Sequence, residues 1–228
     1  MQRKIQFSEG EFYHVYNRGV EKREIFSDNN DRERFLRLLY IANSTESFVF
    51  RDIEDKKLHE IDRKKPLIAI GAYCLMPNHF HALVKEIEPG GTSKFMAKTA
   101  TGYSMYYNKK NNRVGALFQG TFQAQHITRD EHLRYLYAYI HLNPIKASDP
   151  RWKEGSVQDT IRAQQFLHMY RYSSYLDYCG VDREEKAILS QEEFPEYFTQ
   201  PHSFEELMHD FLEYRLLNQE NKDKNDNT

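Results

Sequence analysis

The chain has 228 residues, of which 39% are hydrophobic and 29% charged, with 15 Phe, 16 Tyr and only two Cys; that is enough for one well-packed domain and an appendage. The formal net charge of −2 conceals a partition, because residues 181–228 carry 13 acidic against 5 basic side chains and leave 1–180 with 27 basic against 21 acidic. Cys74 and Cys179 show no CxxC or Cys/His zinc spacing, no apolar run approaches the roughly 20 residues of a membrane span, and "MQRKIQFSEG" lacks a signal-peptide core, which together exclude a disulfide scaffold, a zinc finger and a spanning helix and predict a cytoplasmic protein.

In chain order, "EFYHVYNRG" (11–19) alternates and is aromatic-rich, the mark of a strand ending at Asn17-Arg18-Gly19. Ser27-Asp28 then opens a helix whose apolar positions Phe35, Leu38, Leu39 and Ala42 recur at helical spacing. "SFVFRDI" (47–53) reads as a second strand, and "EDKKLHEIDRKK" as a charged connector. "PLIAIGAYCLM" and "HFHALVKEI" make a third and fourth strand, joined as a hairpin around Pro77-Asn78. "TSKFMAKTATGYSMYYNKK" is a helix capped by Thr92 or Ser93, and "LFQGTFQAQHI" a fifth strand. "TRDEHLRYLYAYIHLN" is a helix capped by Thr128 or Asp130 and stopped by Pro144. The order β-α-β-β-β-α-β-α predicts an α+β domain, a ferredoxin-like antiparallel sheet with helices on one side. Residues 1–180 form that domain; 181–228 form an acidic helical extension, with an amphipathic helix over 204–217 and a disordered tail.

Within "YCLMPNHFHALVKE", strand alternation points His79 and His81 to one face and Phe80 to the other. Two imidazoles side by side on a rigid surface suit one metal ion, although a His-x-His pair also arises without function. On the last helix of the domain, Tyr135, Tyr139 and Asn143 are spaced four residues apart and share a face. A nucleophile tethered beside a metal ligand would look like this; so would two tyrosines packed on the sheet with Asn143 as a C-cap. From Pro89 to Arg129 there are six basic residues and no acidic one. With Tyr103, Tyr106, Tyr107 and Phe118 interleaved, the window suits a polyanion, nucleic acid above all, or simply a solvated helix face.

Five ordered segments, "YHVYNRGVEKREIF", "AYCLMPNHFHALV", "GALFQGTFQAQHI", "YIHLNPIKA" and "YRYSSYLDYCG", resemble the single-tyrosine HUH transposases of the insertion-sequence 200-like superfamily, and within it the REP-associated tyrosine transposases. The resemblance covers roughly residues 10–180. It implies that His79 and His81 are metal ligands, that Tyr139 is the nucleophile, and that Asn143 is the third ligand, an amide where many insertion-sequence relatives carry Gln. Tyr135 and Tyr137 match no catalytic position. The substrate implied is single-stranded DNA beside a hairpin, cleaved with attachment of Tyr139 to the 5′ phosphate and release of a 3′ hydroxyl.

A phosphotyrosine ester conserves bond energy and permits rejoining without ATP. A divalent ion, Mg2+ or Mn2+, would offset charge on the phosphate. Because imidazole ligands must be unprotonated, activity should fall below about pH 6. Lys94, Lys98, Lys109, Lys110 and Arg113 are the expected track for the DNA backbone, with Gln119 and Gln123 as base readers or as plain strand-face polar residues. The rival readings are a catalytically silent hairpin-binding relative, a cupin-type small-molecule metalloenzyme, and an interaction protein without chemistry. The resemblance allows a monomer or a homodimer. The acidic extension could fold over the basic face and compete with DNA, or serve as a solubilising helix.

Overall fold

The computed structural model describes residues 5–53, 55–145, 160–198 and 200–225, with side chains to residue 213. Its strands are β1 (Phe12–Arg18), β2 (Ile68–Met76), β3 (His79–Glu86) and β4 (Gln123–Ile127), in one antiparallel sheet of order β2-β3-β1-β4. Helix α1 (Asn29–Ile41) joins β1 to β2, and α2 (Gly91–Lys110) joins β3 to β4. This is the expected ferredoxin-like arrangement. Helix α3 (Asp130–Leu142) follows β4, and α4 (Thr160–Met169), the single turn α5 (Tyr175–Tyr178) and α6 (Pro201–Asn225) come after it.

The helices do not all lie on one side. Phe80, Ala82 and Val84 of β3 share a core with Phe35 and Leu38 of α1 and with Phe95 and Tyr103 of α2. Leu83 of β3 shares a second core with Leu133, Leu136 and Ile140 of α3. The sheet is therefore covered on both faces, which is why β2 is buried at every position. Phe80 sits 4.8 Å from Phe35, ring centre to ring centre, and burying a phenylalanine contributes roughly 1.5–3 kcal/mol. That burial anchors β3 with its odd-numbered residues turned towards α3.

The strand expected over 47–53 is absent; Phe50–Asp52 forms a single 3-10 turn. Its would-be partner edge on β2 is taken by other backbone: Leu75 N–H donates to the Tyr172 carbonyl (2.9 Å), Ser174 N–H to Tyr73 (3.0 Å) and Ser190 N–H to Ile70 (2.9 Å). Gly71 accompanies the register shift of β2, and an added Cβ there would lie 2.7 Å from the Phe194 ring. The edge is thus closed by the C-terminal segment. Phe194, Phe204, Met208 and Leu212 all enter the second core, so the acidic region beyond residue 180 is packed against α3 and α4. Helix α6 extends past the expected 204–217 into the segment expected to lack order, and 226–228 lie outside the described residues. The His141 imidazole, fully buried, bridges α3 to this edge, with Nδ1 2.9 Å from the Tyr137 carbonyl and Nε2 2.6 Å from Ser174 Oγ.

Asp28 caps α1 as expected, accepting from Asp31 N–H at 2.9 Å. The other two capping expectations fail. Helix α2 begins after Gly90, and the Glu86 carboxylate at the end of β3 accepts from the backbone N–H of Thr92 at 2.8 Å and from its hydroxyl. A buried carboxylate at the positive end of a helix does the work assigned to Thr92 or Ser93. Helix α3 begins after Arg129 without a side-chain cap, and Asp130 instead accepts from the Tyr197 hydroxyl. Glu86→Ala should lower stability by about 1–3 kcal/mol. A urea midpoint equal to that of the parent chain would show that the carboxylate contributes nothing.

Candidate active site

The two-face packing brings His79, His81 and Tyr139 together. His79 and His81 leave β3 on the face that α3 covers, their rings 5.0 Å apart and nearly perpendicular at 89°. The Tyr139 ring from α3 stands edge-on to His81 at 5.5 Å. A cleft of about 560 Å³ is lined by these three residues with Tyr16, Arg18, Asn78, Gln119 and Gln123 among others. A larger groove of about 1030 Å³ crosses α2, lined by Phe48, Phe50, Met105 and Tyr106 with Lys98 and Lys109. It holds no convergent reactive groups, whereas the smaller cleft holds the imidazoles and the phenol, and the site is assigned there.

Each imidazole has its Nδ1 engaged. Asn78 Nδ2 donates to the Lys22 carbonyl at 3.0 Å, which makes Asn78 Oδ1 the acceptor for His79 Nδ1 at 2.6 Å. The His79 proton therefore sits on Nδ1, and Nε2 is the nitrogen able to ligate. His81 Nδ1 lies 2.9 Å from Nε2 of His14, a β1 residue that sequence reasoning missed. In the β1–β3 register Tyr16 faces His81 and His14 faces Leu83, which puts His14 diagonally beside His81. Alternation in "EFYHVYNRG" places His14 and Tyr16 on one face, but only the register shows which face that is. Burial, aided by His132, pushes the His14 imidazole down to about 4, so it is neutral at neutral pH.

Asn143 is fully buried and caps α3, its Nδ2 donating to the Tyr139 carbonyl at 2.9 Å. That bond ties the amide to the backbone of Tyr139, and any ligand atom on Asn143 would be Oδ1. Imidazole nitrogens and an amide oxygen are donor types that suit a divalent cation of the Mn2+ or Mg2+ kind; His79 and His81 line the cleft, and Asn143 is not among its lining residues. Tyr135 is 39% exposed and stacks on Tyr139 at 6.2 Å and against Phe211 of α6 at 5.9 Å. Tyr137 is buried in the second core, and burial holds its phenol well above the usual range.

The expected DNA-contacting residues divide. Gln119 and Gln123 line the cleft, and Arg18 Nη2 donates to Gln119 Oε1 at 3.2 Å. Lys94, Lys98, Lys109 and Lys110 belong to α2, on the opposite face of the sheet. Lys98 Nζ donates to the Ser44 and Glu46 carbonyls at 2.7 and 2.6 Å, and Lys110 pairs with Asp28 and Asp31 at 2.6 Å each. Arg113 donates to Asn108 Oδ1 at 2.9 Å. Lys94 and Lys109 are exposed. Among the described residues, His168, Cys179 and Glu205 form the one group of three His, Cys, Asp or Glu side chains close enough to share an ion; burial and Glu205 push the Cys179 thiol up to about 12. No described helix is long and apolar enough to cross a membrane.

A family model described as "Transposase IS200 like" matches residues 12–143, more than half of the chain. Among solved structures, "Structure of the REP associates tyrosine transposase bound to a REP hairpin" aligns at 14% identity over 81% of this chain and 90% of that one, with a TM-score of 0.48. No curated protein matches the sequence.

Proposed function

The chain belongs to the IS200-like transposase family, and on that premise we propose that it is a metal-dependent single-stranded DNA endonuclease and strand transferase acting through Tyr139. The observation that carries this reading is the convergence of His79, His81 and Tyr139 in one cleft of a single chain. The same convergence supports action in cis, by a monomer or by each subunit of a homodimer. Residues 1–180 carry the reacting groups, and 181–228 form the flank that packs α3.

The phenol oxygen of Tyr139 attacks the phosphorus of a DNA phosphodiester. A P–O bond to tyrosine forms as the P–O3′ bond breaks; the phenol proton passes to solvent, and the departing 3′ oxygen takes one up. The strand stays attached through its 5′ phosphate, and the reverse reaction rejoins it without an external energy source. His79 and His81, with Asn143, would hold the divalent cation. A cation held there would supply positive charge against the phosphate as the P–O bonds exchange. The Tyr135 ring, stacked on Tyr139, limits where the nucleophile's ring can swing. Gln119 and Gln123 read base edges of the strand entering the cleft. Exposed Lys94 and Lys109, with Arg113, serve phosphates farther along the substrate, since Lys98 and Lys110 are committed to protein partners. Hairpin-forming repeat DNA is the substrate class that the motifs suggest.

The test is incubation of the chain with end-labelled single-stranded oligonucleotides bearing hairpin repeats, with Mn2+ or Mg2+. A covalent protein–DNA band on a denaturing gel, abolished by EDTA, is expected. Tight hairpin binding with no such band under either ion would replace this reading by that of a silent DNA-binding relative.

A further inference from the structure

Deepening that reading, and resting on its assignment of His79 and His81 as cation ligands, we infer that His14 is a positioning residue whose Nε2 accepts the Nδ1 proton of His81 and so selects the His81 tautomer able to ligate. A neutral imidazole carries one proton and binds a cation through its other nitrogen. For His79 the choice is made by an amide oxygen, which can only accept, held in place by the Asn78–Lys22 bond. For His81 the partner is a second imidazole, and two arrangements satisfy the 2.9 Å contact. If His14 donates, the His81 proton moves to Nε2 and that nitrogen cannot ligate. If His81 donates, its Nε2 lone pair is presented and the His14 proton sits on Nδ1.

The surroundings hold this pair in register. His14 and His81 are each 6% exposed, and their rings lie 5.0 Å apart, inclined by only 26°. Tyr16 packs on both rings, at 5.0 Å from His14 and 5.6 Å from His81. Tyr139 closes the group edge-on, 5.9 Å from His14. In so confined a place water is a poor substitute for the second imidazole as acceptor. Both residues stand on adjacent central strands, so backbone pairing fixes the separation of the rings without help from a loop. Cation occupancy and the His14 tautomer are thereby linked. An ion at His81 Nε2 requires the proton on Nδ1, and that proton requires an acceptor on His14.

The experiment is Mn2+ binding to the full chain, followed by loss of the free-ion signal in electron paramagnetic resonance. Four proteins are compared: the parent, His14→Phe, His14→Gln and His81→Ala. Phenylalanine fills the space without an acceptor; glutamine offers an amide oxygen. His14→Phe should weaken Mn2+ binding by about 10–100-fold, and His14→Gln should recover much of the loss. Melting curves of the metal-free chains should place His14→Phe at or above His14→Gln, which separates the effect from folding. Parent-like binding by His14→Phe, or a Gln variant as weak as Phe, overturns the role of His14. Parent-like binding by His81→Ala instead overturns the ligand assignment itself. Should His14→Phe not fold, a long-range 1H–15N spectrum of the histidine-labelled parent with Mg2+ decides the matter: a proton on His81 Nδ1 is expected, and one on Nε2 refutes the inference.

Discussion

Tyr139→Phe should abolish the covalent protein–DNA band and lower strand cleavage by roughly 10⁴–10⁶-fold, the scale seen when a covalent nucleophile is removed. The substitution takes one oxygen from a ring held edge-on to His81 at 5.5 Å and stacked on Tyr135; the packing survives and hairpin affinity should change little. The comparison that gives the result meaning is Tyr135→Phe. Tyr135 is one turn away on the same helix and 39% exposed, accessible enough to act as an alternative nucleophile, yet it does not line the cleft. Its variant should keep the covalent band. Tyr137 needs no such control, since burial raises its phenol far above the usual range and packs it against Tyr178 and Phe198. A band that persists in Tyr139→Phe and disappears in Tyr135→Phe would move the chemistry one turn along α3 and refute the assignment.

Lowering the pH from 6.5 to 5 should destabilise the protein. Burial pushes His141 from 6.5 down to about 3, and burial with His132 pushes His14 to about 4. Both folded-state values are depressed below the unfolded one. As pH falls below 6.5 the unfolded chain therefore takes up protons that the folded chain refuses, and stability falls until the folded groups titrate. Each imidazole costs about 2 kcal/mol by pH 5 at about 1.36 kcal/mol per unit, or about 4 kcal/mol for the pair. Asp177, whose carboxyl burial holds above the usual range, works in the opposite sense. Urea midpoints between pH 7 and pH 5 test this, and the variant to include is His141→Asn. It loses stability at every pH, but its slope between pH 6.5 and 5 should be shallower by one proton. An unchanged slope would mean that His141 is not held neutral in the fold. The residue matters to the site because it fastens α3, and with it Tyr139, to Ser174 at the β2 edge.

The sequence by itself determined the strand pair and the polarity of β3. Period-two alternation sends His79 and His81 to one face and Phe80 to the other, and no tertiary context can undo that without losing the burial of Phe80. It also determined that Tyr135, Tyr139 and Asn143 share a helical face, because 3.6 residues per turn leaves no choice. What it could not supply was which face of the sheet each helix covers. Helices α1 and α2 follow from the ferredoxin-like winding, whereas α3 crosses to the other side, where an apolar stripe of Leu133, Leu136 and Ile140 finds Leu83. The strand expected over 47–53 failed for a related reason: its residues carry strand propensity, but the edge they would have joined is occupied by residues 172–174 and 190.

His14 was invisible as a site residue because its role depends on β1–β3 register, a pairing between residues 67 apart in the chain. The basic window was legible as charge but not as surface; only the folded chain shows Lys98 and Lys110 turned to carbonyls and carboxylates of their own neighbours. Local periodicity fixes where a side chain points from its own backbone. The partner it meets is set by long-range packing, where burial of apolar surface outweighs any preference that a short stretch of sequence can express.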